Sequence, residues 1–241
     1  MTNFEGRVVL RRRALTPPVG VRTDLQILTG LAARLGRGRF FEHDDAGSVF
    51  EELRRASAGG VADYSGITYE RITAENGVFW PCPQVGHPGT PRLFLDAFAT
   101  ADGRARFHAV NYRHSAEEPS ELYPLYLTTG RVAEHYQSGT QTRRVRSLSQ
   151  ARPEAFVEIH PDLAATFGIA DGDLVTVTTA RGSAQVRARL STTIRADTLF
   201  IPFHWGGVAR ANLLTNPALD PKSKMPEFKV CAARVHKASS C

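Results

Sequence analysis

With 241 residues, 42% of them hydrophobic and 22% charged, the chain can bury a core as one large domain or two small ones. Its formal charge of +6 permits nucleic-acid binding, but the basic residues are scattered apart from Arg11-Arg12-Arg13. No aromatic-basic motif accompanies them, so no nucleic-acid partner is expected.

Along the chain, Thr23 to Leu35 places Leu25, Ile27, Leu28, Leu31, Ala32 and Leu35 at mostly helical spacing, with Thr23-Asp24 able to cap its start. Ala46 to Ala56 is a second helix, carrying Val49, Phe50 and Leu53 on one face, and Gly59-Gly60 marks its end. Residues 63 to 120 are rich in Pro, Gly and short mixed segments. They predict irregular structure with one hairpin around Arg92 to Val110, and the polar stretch Ala116 to Ser120 reads as a linker. The apolar run Leu122 to Leu127 then reads as a buried strand.

Short strands dominate from there. Ala155 to Ile159 is one, followed by a short helix from Pro161 to Phe167, where the missing N–H of Pro161 costs little at an early helical position. Leu174 to Thr179 is a β-branched strand. Arg181-Gly182-Ser183 is read as a hairpin turn into the alternating segment Ala184 to Leu190, and Thr198 to Phe203 closes the set. Several short strands with one small inserted helix indicate a closed or nearly closed β-barrel. The expected fold class is mixed α/β and β, with the barrel preceded by a smaller α/β part. No apolar run approaches the ~18–20 residues of a membrane span and no secretory signal is visible, so the expected compartment is the cytoplasm.

The richest segment for chemistry is residues 128–142. It supplies Gly130 and Gly139, the fixed cation of Arg131, the imidazole of His135 and many hydroxyl or amide side chains. A strand emptying into such a loop suits a large anionic ligand, because glycine lets backbone N–H groups approach and hydroxyls add donors. Taken alone, the same residues also suit a polar surface loop. A second segment, residues 200–235, reads Phe-Ile-Pro-Phe-His-Trp-Gly-Gly, then Ala211-Asn212-Leu213-Leu214-Thr215, Asp220-Pro221-Lys222-Ser223, and Pro226 to Val235.

Taken in this order, the two segments resemble the C-terminal molybdopterin-dinucleotide-binding domain of the DMSO reductase superfamily, with nitrate reductases and formate dehydrogenases the most similar. The resemblance is strong over about residues 120 to 236 and weaker before them; several motifs in order are more specific than one glycine pattern. It implies a double-psi β-barrel over 119–241, preceded over 1–118 by a remnant of the α/β region that encloses the cofactor. It also implies that Thr129, Gly130, Arg131, His135, Ser138, Gly139 and Thr140 contact the dinucleotide from the first loop. Asn212 and Lys229 form a second contact group, and Phe203 and His204 lie near substrate entry. Phe228 is expected to pack beneath the site.

The implied cofactor is molybdenum bis(molybdopterin guanine dinucleotide), of which this chain holds one part. The superfamily's [4Fe–4S] cysteine motif and a molybdenum ligand in context are missing from the sequence. Its three cysteines, Cys82, Cys231 and Cys241, form no Cys-x-x-Cys pair, which argues against a disulfide scaffold or a zinc or iron–sulfur site from this chain alone. Neither a catalytic residue nor a metal ligand is assigned to it. The expected partners are the N-terminal part of the same enzyme, or a split-gene chain, and an electron-donor protein. Assimilatory nitrate reduction is the expected activity; a formate dehydrogenase catalytic-subunit fragment and a non-catalytic cofactor-binding module or gene relic stay open beside it.

Overall fold

The computed structural model describes residues 1–238 and divides into two compact units, Met1–Ala109 and Val110–Cys241. Cys241 lies outside the described residues.

In the first unit, β1 (Arg7–Val8) is followed by the helices α1 (Asp24–Arg34), α2 (Ala46–Ser57) and α3 (Tyr69–Ala74) and by β2 (Val78–Phe79). The helix starts are set by side chains. Thr23 accepts from the Gln26 backbone N–H while the Gln26 side chain accepts from Thr23 N–H, and Asp45 and Ser48 make the same reciprocal box before α2. Such boxes satisfy amides that the first turn leaves without intrahelical partners. The core is small. Val8, Ile67, Ile72, Val78 and Cys82 are buried, with Phe50, Tyr64 and Trp80 packed against them. β1 and β2 pair antiparallel with Val8 opposite Val78.

The expected hairpin between Arg92 and Val110 does not form; among the described residues no strand lies between β2 and Leu125. Phe94 takes a left-handed φ of 58°, its ring stacks on Phe98 at 5.4 Å, and Phe98 N–H donates to Gly103 O. A local turn replaces the ladder. α3 and β2, by contrast, gave no sequence signal, being six and two residues long.

The second unit contains β3 (Leu125–Gly130), α4 (Arg146–Ala151), β4 (Phe156–Ile159), α5 (Pro161–Thr166), β5 (Leu174–Thr179), β6 (Gly182–Leu190), β7 (Thr198–Pro202) and β8 (Cys231–Lys237). Six strands close into a barrel in the order β3-β7-β4-β6-β5-β8, so the expected closed barrel is present. Two neighbour pairs, β3–β7 and β4–β6, are parallel, and the others are antiparallel. Alternation drives closure. Leu125 and Leu127, Val157 and Ile159, Val175 and Val177, Val186 and Ala188, Leu199 and Ile201, and Ala233 and Val235 all point into one core. Each fully buried Leu, Ile or Val contributes about 1.5–3 kcal/mol relative to an exposed one.

Three boundaries differ from the sequence expectation. β3 begins at Leu125 rather than Leu122 and runs on through Gly130, because Tyr126–Gly130 pair in parallel with Thr198–Pro202 of β7. Thr128, Thr129 and Gly130 are therefore strand, and the loop starts at Arg131. The β5–β6 turn is Ala180-Arg181, since Gly182 and Ser183 already pair with Thr179 and Thr178. β8 was not expected as a strand at all. Its Cys-Ala-Ala-Arg-Val sequence lacks β-branched alternation, yet it joins β3 to β5 and completes the closure. Among the described residues no helix is long and apolar enough to cross a membrane.

Candidate functional site

One mouth of the barrel carries a cavity of about 600 Å³ lined by Thr129, Gly130, Arg131, Gln137, Phe203, Asn212, Phe228 and Lys229. Four pieces of chain meet there. The end of β3 supplies Thr129 and Gly130. Their backbone is fixed by pairing with Ile201 and Pro202, and Gly130 O accepts from Phe203 N–H at 3.2 Å. A side chain at Gly130 would put its Cβ 2.5 Å from the Phe200 ring, so glycine here serves the packing of β3 on β7.

Arg131 follows directly, with its guanidinium carbon 5.8 Å from the Phe203 ring centroid. Lys229 also approaches that ring: its Nζ lies 5.5 Å from the Phe203 centroid and 5.4 Å from that of Phe228. It also donates to Thr129 O at 2.6 Å, which anchors it at the rim. Neither cation has a carboxylate partner among the described residues. Asn212 stands in a 3-10 turn, Ala211–Leu213, and offers a donor and an acceptor. Gln137 sits in the loop at a left-handed φ of 49°.

His135 and His204 do not line the cavity. Both are buried and brace the loop after β3. His135 Nε2 donates to Arg152 O at 2.8 Å, and its Nδ1 is 2.9 Å from Thr142 Oγ1. His204 Nε2 accepts from Val132 N–H at 2.9 Å, while its Nδ1 faces Gln137 O. A backbone amide can only donate and a carbonyl can only accept, so this pair of partners fixes a neutral imidazole with its proton on Nδ1. Burial pushes the His204 imidazole below its ordinary value, against the pull of the Gln137 carbonyl, and His135, Arg131 and Arg143 push the same way. Desolvation and neighbouring cations both disfavour the charged ring.

Ser138, Gly139 and Thr140 also lie outside the lining. Ser138 and Thr140 share a hydroxyl–hydroxyl bond at 2.8 Å. Gly139, at φ 72°, is a place where only glycine fits: an added Cβ would fall 2.8 Å from His204 O and 2.5 Å from Arg143 Nη1. Arg143 Nη1 donates to both Ser138 O and His204 O.

Sequence reasoning had not singled out Gln137 or Asn216, and had placed Phe228 beneath the site rather than on its wall. Asn216 is buried. Its Nδ2 donates to Glu227 O at 3.0 Å and to Val230 O at 2.6 Å, and its Oδ1 accepts from Ala218 N–H. The amide thus brackets Phe228 and Lys229, the two residues this loop gives to the cavity. No pattern in the sequence marks a loop asparagine for that task; the role exists only once the loop has folded.

A closed mixed barrel whose mouth gathers cations, amides and aromatic walls is the architecture of a dinucleotide-binding domain, because those groups match diphosphate, purine edges and ring faces respectively. The family model described as "Molydopterin dinucleotide binding domain" matches residues 125–232. The chain corresponds to the C-terminal molybdopterin-dinucleotide-binding region of DMSO reductase family enzymes and covers only about a third of them. It is 49% identical, over 98% of its length, to the assimilatory nitrate reductase catalytic subunit of Bacillus subtilis, and covers 33% of that relative. It is 42% identical to the F420-dependent formate dehydrogenase subunit alpha of Methanocaldococcus jannaschii, covering 98% of this chain and 34% of that one. The chain thus spans about a third of the relatives it matches. Among solved structures, acetylene hydratase from Pelobacter acetylenicus aligns with a TM-score of 0.60 at 18% identity, over 94% of this chain and 34% of that one, a likeness of fold alone.

Proposed function

We propose that this chain is the cofactor-holding C-terminal part of a molybdenum-dependent assimilatory nitrate reductase, which converts nitrate to nitrite in the cytoplasm. The observation that carries the proposal is the convergence of Arg131, Lys229, Asn212, Gln137, Phe203 and Phe228 on one cavity at the barrel mouth. The donor set fits molybdopterin guanine dinucleotide. Arg131 offers a paired, charge-assisted contact to the diphosphate and Lys229 a point charge. Asn212 and Gln137 suit guanine or pterin edges, and the phenylalanine rings suit the flat faces.

In this reading residues 119–241 form the dinucleotide domain and residues 1–118 contribute to enclosing the cofactor, molybdenum bis(molybdopterin guanine dinucleotide). When bound, that cofactor supplies the oxygen-atom transfer chemistry, while this chain binds and orients it. The [4Fe–4S] cluster and the molybdenum ligand belong to the remainder of the longer enzyme or to a partner chain, and electrons arrive from a donor protein. Identity to the nitrate reductase exceeds that to the formate dehydrogenase, 49% against 42%, which supports the preference for nitrate reduction.

Two measurements test the reading. Guanosine diphosphate should bind the chain, and Arg131→Ala should weaken binding roughly tenfold to a hundredfold with an unchanged melting temperature, as for a charge-assisted hydrogen bond at a solvent-facing rim. Coexpressed with the remaining part of the enzyme and purified as one complex, the chain should support nitrite formation from nitrate with an artificial electron donor. Formate oxidation without nitrate reduction would favour the formate dehydrogenase reading. Cofactor binding with neither activity would favour a non-catalytic binding module.

A further inference from the structure

The loop after β3 carries two cavity residues, Arg131 and Gln137, six positions apart, with little regular structure between them. Among the side chains that brace this loop, one bonds directly to the residue after Arg131 and to Gln137. His204, just past β7, is 0% exposed. Its Nε2 takes the Val132 N–H, and its Nδ1 gives its proton to Gln137 O. The residue's own carbonyl is held by Arg143, so the loop is fastened around position 204 from three directions. We propose that His204 is the positioning residue of this cavity: its neutral imidazole ties Val132 to Gln137 and thereby sets Arg131 and Gln137 for the ligand. The inference rests on the proposed function only for the identity of that ligand.

The clasp is specific to a neutral ring. A protonated imidazole would present an N–H to the Val132 N–H, two donors face to face, and break the bond that the half-buried Val132 amide makes. His135 has no such constraint: its ring nitrogens face a carbonyl and a hydroxyl, and the hydroxyl can turn to accept. The charged and titratable groups around His204 are His135, Arg131 and Arg143, all positive or able to become so, and none stabilises a cation there. The folded ring titrates below its ordinary value of 6.5. The clasp is therefore complete above that pH and is lost as pH falls through the lower folded value. Held this way, Gln137 keeps a left-handed backbone that a free loop would leave.

Amide hydrogen exchange on the 241-residue chain reads the clasp without any cofactor. The Val132 protection factor should fall roughly tenfold or more between about pH 7.5 and an acid pH at which the NMR shifts of the ring show His204 protonated, while barrel amides such as that of Leu127 stay protected. In His204→Gln, whose side-chain oxygen can accept from Val132 but cannot titrate, Val132 should remain protected at both pH values. In His204→Phe it should be exposed at both. Unchanged Val132 protection across pH in the wild type, with the barrel intact, would overturn the proposal even if the variants failed to fold; so would wild-type protection in His204→Phe.

Guanosine diphosphate serves as the ligand probe. Its affinity should drop more in acid for the wild type than for His204→Gln, and equal drops would refute a positioning role. Absence of nucleotide binding at either pH, with the exchange pattern as expected, would overturn the cofactor reading of the cavity and leave the clasp standing.

Discussion

The two units of this chain are specified in different ways. In the barrel, six strands send alternate residues into a single core, and apart from the β5–β6 hairpin the neighbours in the wall come from distant sequence: Tyr126 pairs with Thr198 and with Ala232. The backbone groups of the wall are satisfied by the ladders themselves. The first unit has one two-residue ladder and, outside its helices, satisfies its backbone through isolated turn bonds and side chains. Asp63 accepts from Gly59 N–H and Ser65 N–H, both at 2.7 Å. Arg71 donates to Gly66 O and His87 O while pairing with Glu75. Where strands close on themselves, hydrophobic alternation is enough to fix the fold. Where they do not, individual polar contacts carry the shape, and a single one can matter as much as a core residue.

The largest effects should come from the two cores. Leu127→Ala, at a site of 0% exposure packed among residues of other strands, should cost about 3–5 kcal/mol in the unfolding free energy of the barrel. Ile67→Ala, equally buried in the first unit, should cost about 2–4 kcal/mol, because its smaller cluster has more room to collapse. Residue-resolved exchange under denaturant would show the order; a costlier Ile67→Ala would break the idea that the barrel is the better-determined unit.

Glycine substitutions sharpen the contrast. At Gly66 a Cβ would lie 2.2 Å from Gln84 O and 2.7 Å from Cys82 O. Both are backbone atoms, so the chain itself must move, and Gly66→Ala should cost about 2–3 kcal/mol. At Gly130 the obstacle is the edge of the Phe200 ring, which can rotate, so Gly130→Ala should cost about 1–2 kcal/mol. Thermal melts followed by intrinsic fluorescence would rank them, and the reverse order would show that β7 is the more rigid partner.

Asn216→Ala tests whether the barrel unit also relies on single polar contacts once the chain leaves the wall. It removes the donor to Glu227 O and Val230 O and should cost about 1–2 kcal/mol. Guanosine diphosphate binding should weaken with it, since Phe228 and Lys229 lose their bracket. Full nucleotide affinity in this variant would show that the Lys229–Thr129 bond alone holds the rim.

What could be read from the sequence follows the same division. α1, α2, α5, β5 and β6 were legible because each repeats a helical or alternating pattern with a turn or cap at its end. β8 was not, because Cys231, Ala232 and Ala233 are small and its strand character comes from the two neighbours it joins. β3 was placed three residues early because Leu122 and Tyr123 extend the apolar run, while the register that fixes it comes from β7. The site divides likewise. Thr129, Gly130, Arg131, Phe203, Asn212 and Lys229 were named from a family resemblance, not from any periodicity, and they meet at one cavity. Gln137 and Asn216 were missed because a lone amide in a loop looks the same whether it faces water or fastens a neighbour. His135, Ser138, Gly139 and Thr140 were named from the same resemblance; in the folded loop they lie outside the cavity lining, and His135 fastens Arg152 and Thr142.

The smallest effects should come from α1, which sets the comparison inside the first unit. Of its eleven residues only Ala32 is buried, while Ile27, Leu28 and Leu31 are about half exposed. A helix of this length is marginal on its own propensity, so its start should depend on the Thr23–Gln26 box more than on its apolar stripe. Thr23→Ala removes the side-chain acceptor for Gln26 N–H at 3.3 Å and should cost about 0.5–1 kcal/mol. Leu28→Gln, at 55% exposure, should change stability by less than about 0.5 kcal/mol. Exchange at the α1 amides is the measurement, since the effect is local. A loss from Leu28→Gln larger than that from Thr23→Ala would mean the apolar face of α1 is engaged, and its position would then be set by burial, as in the barrel, rather than by its cap.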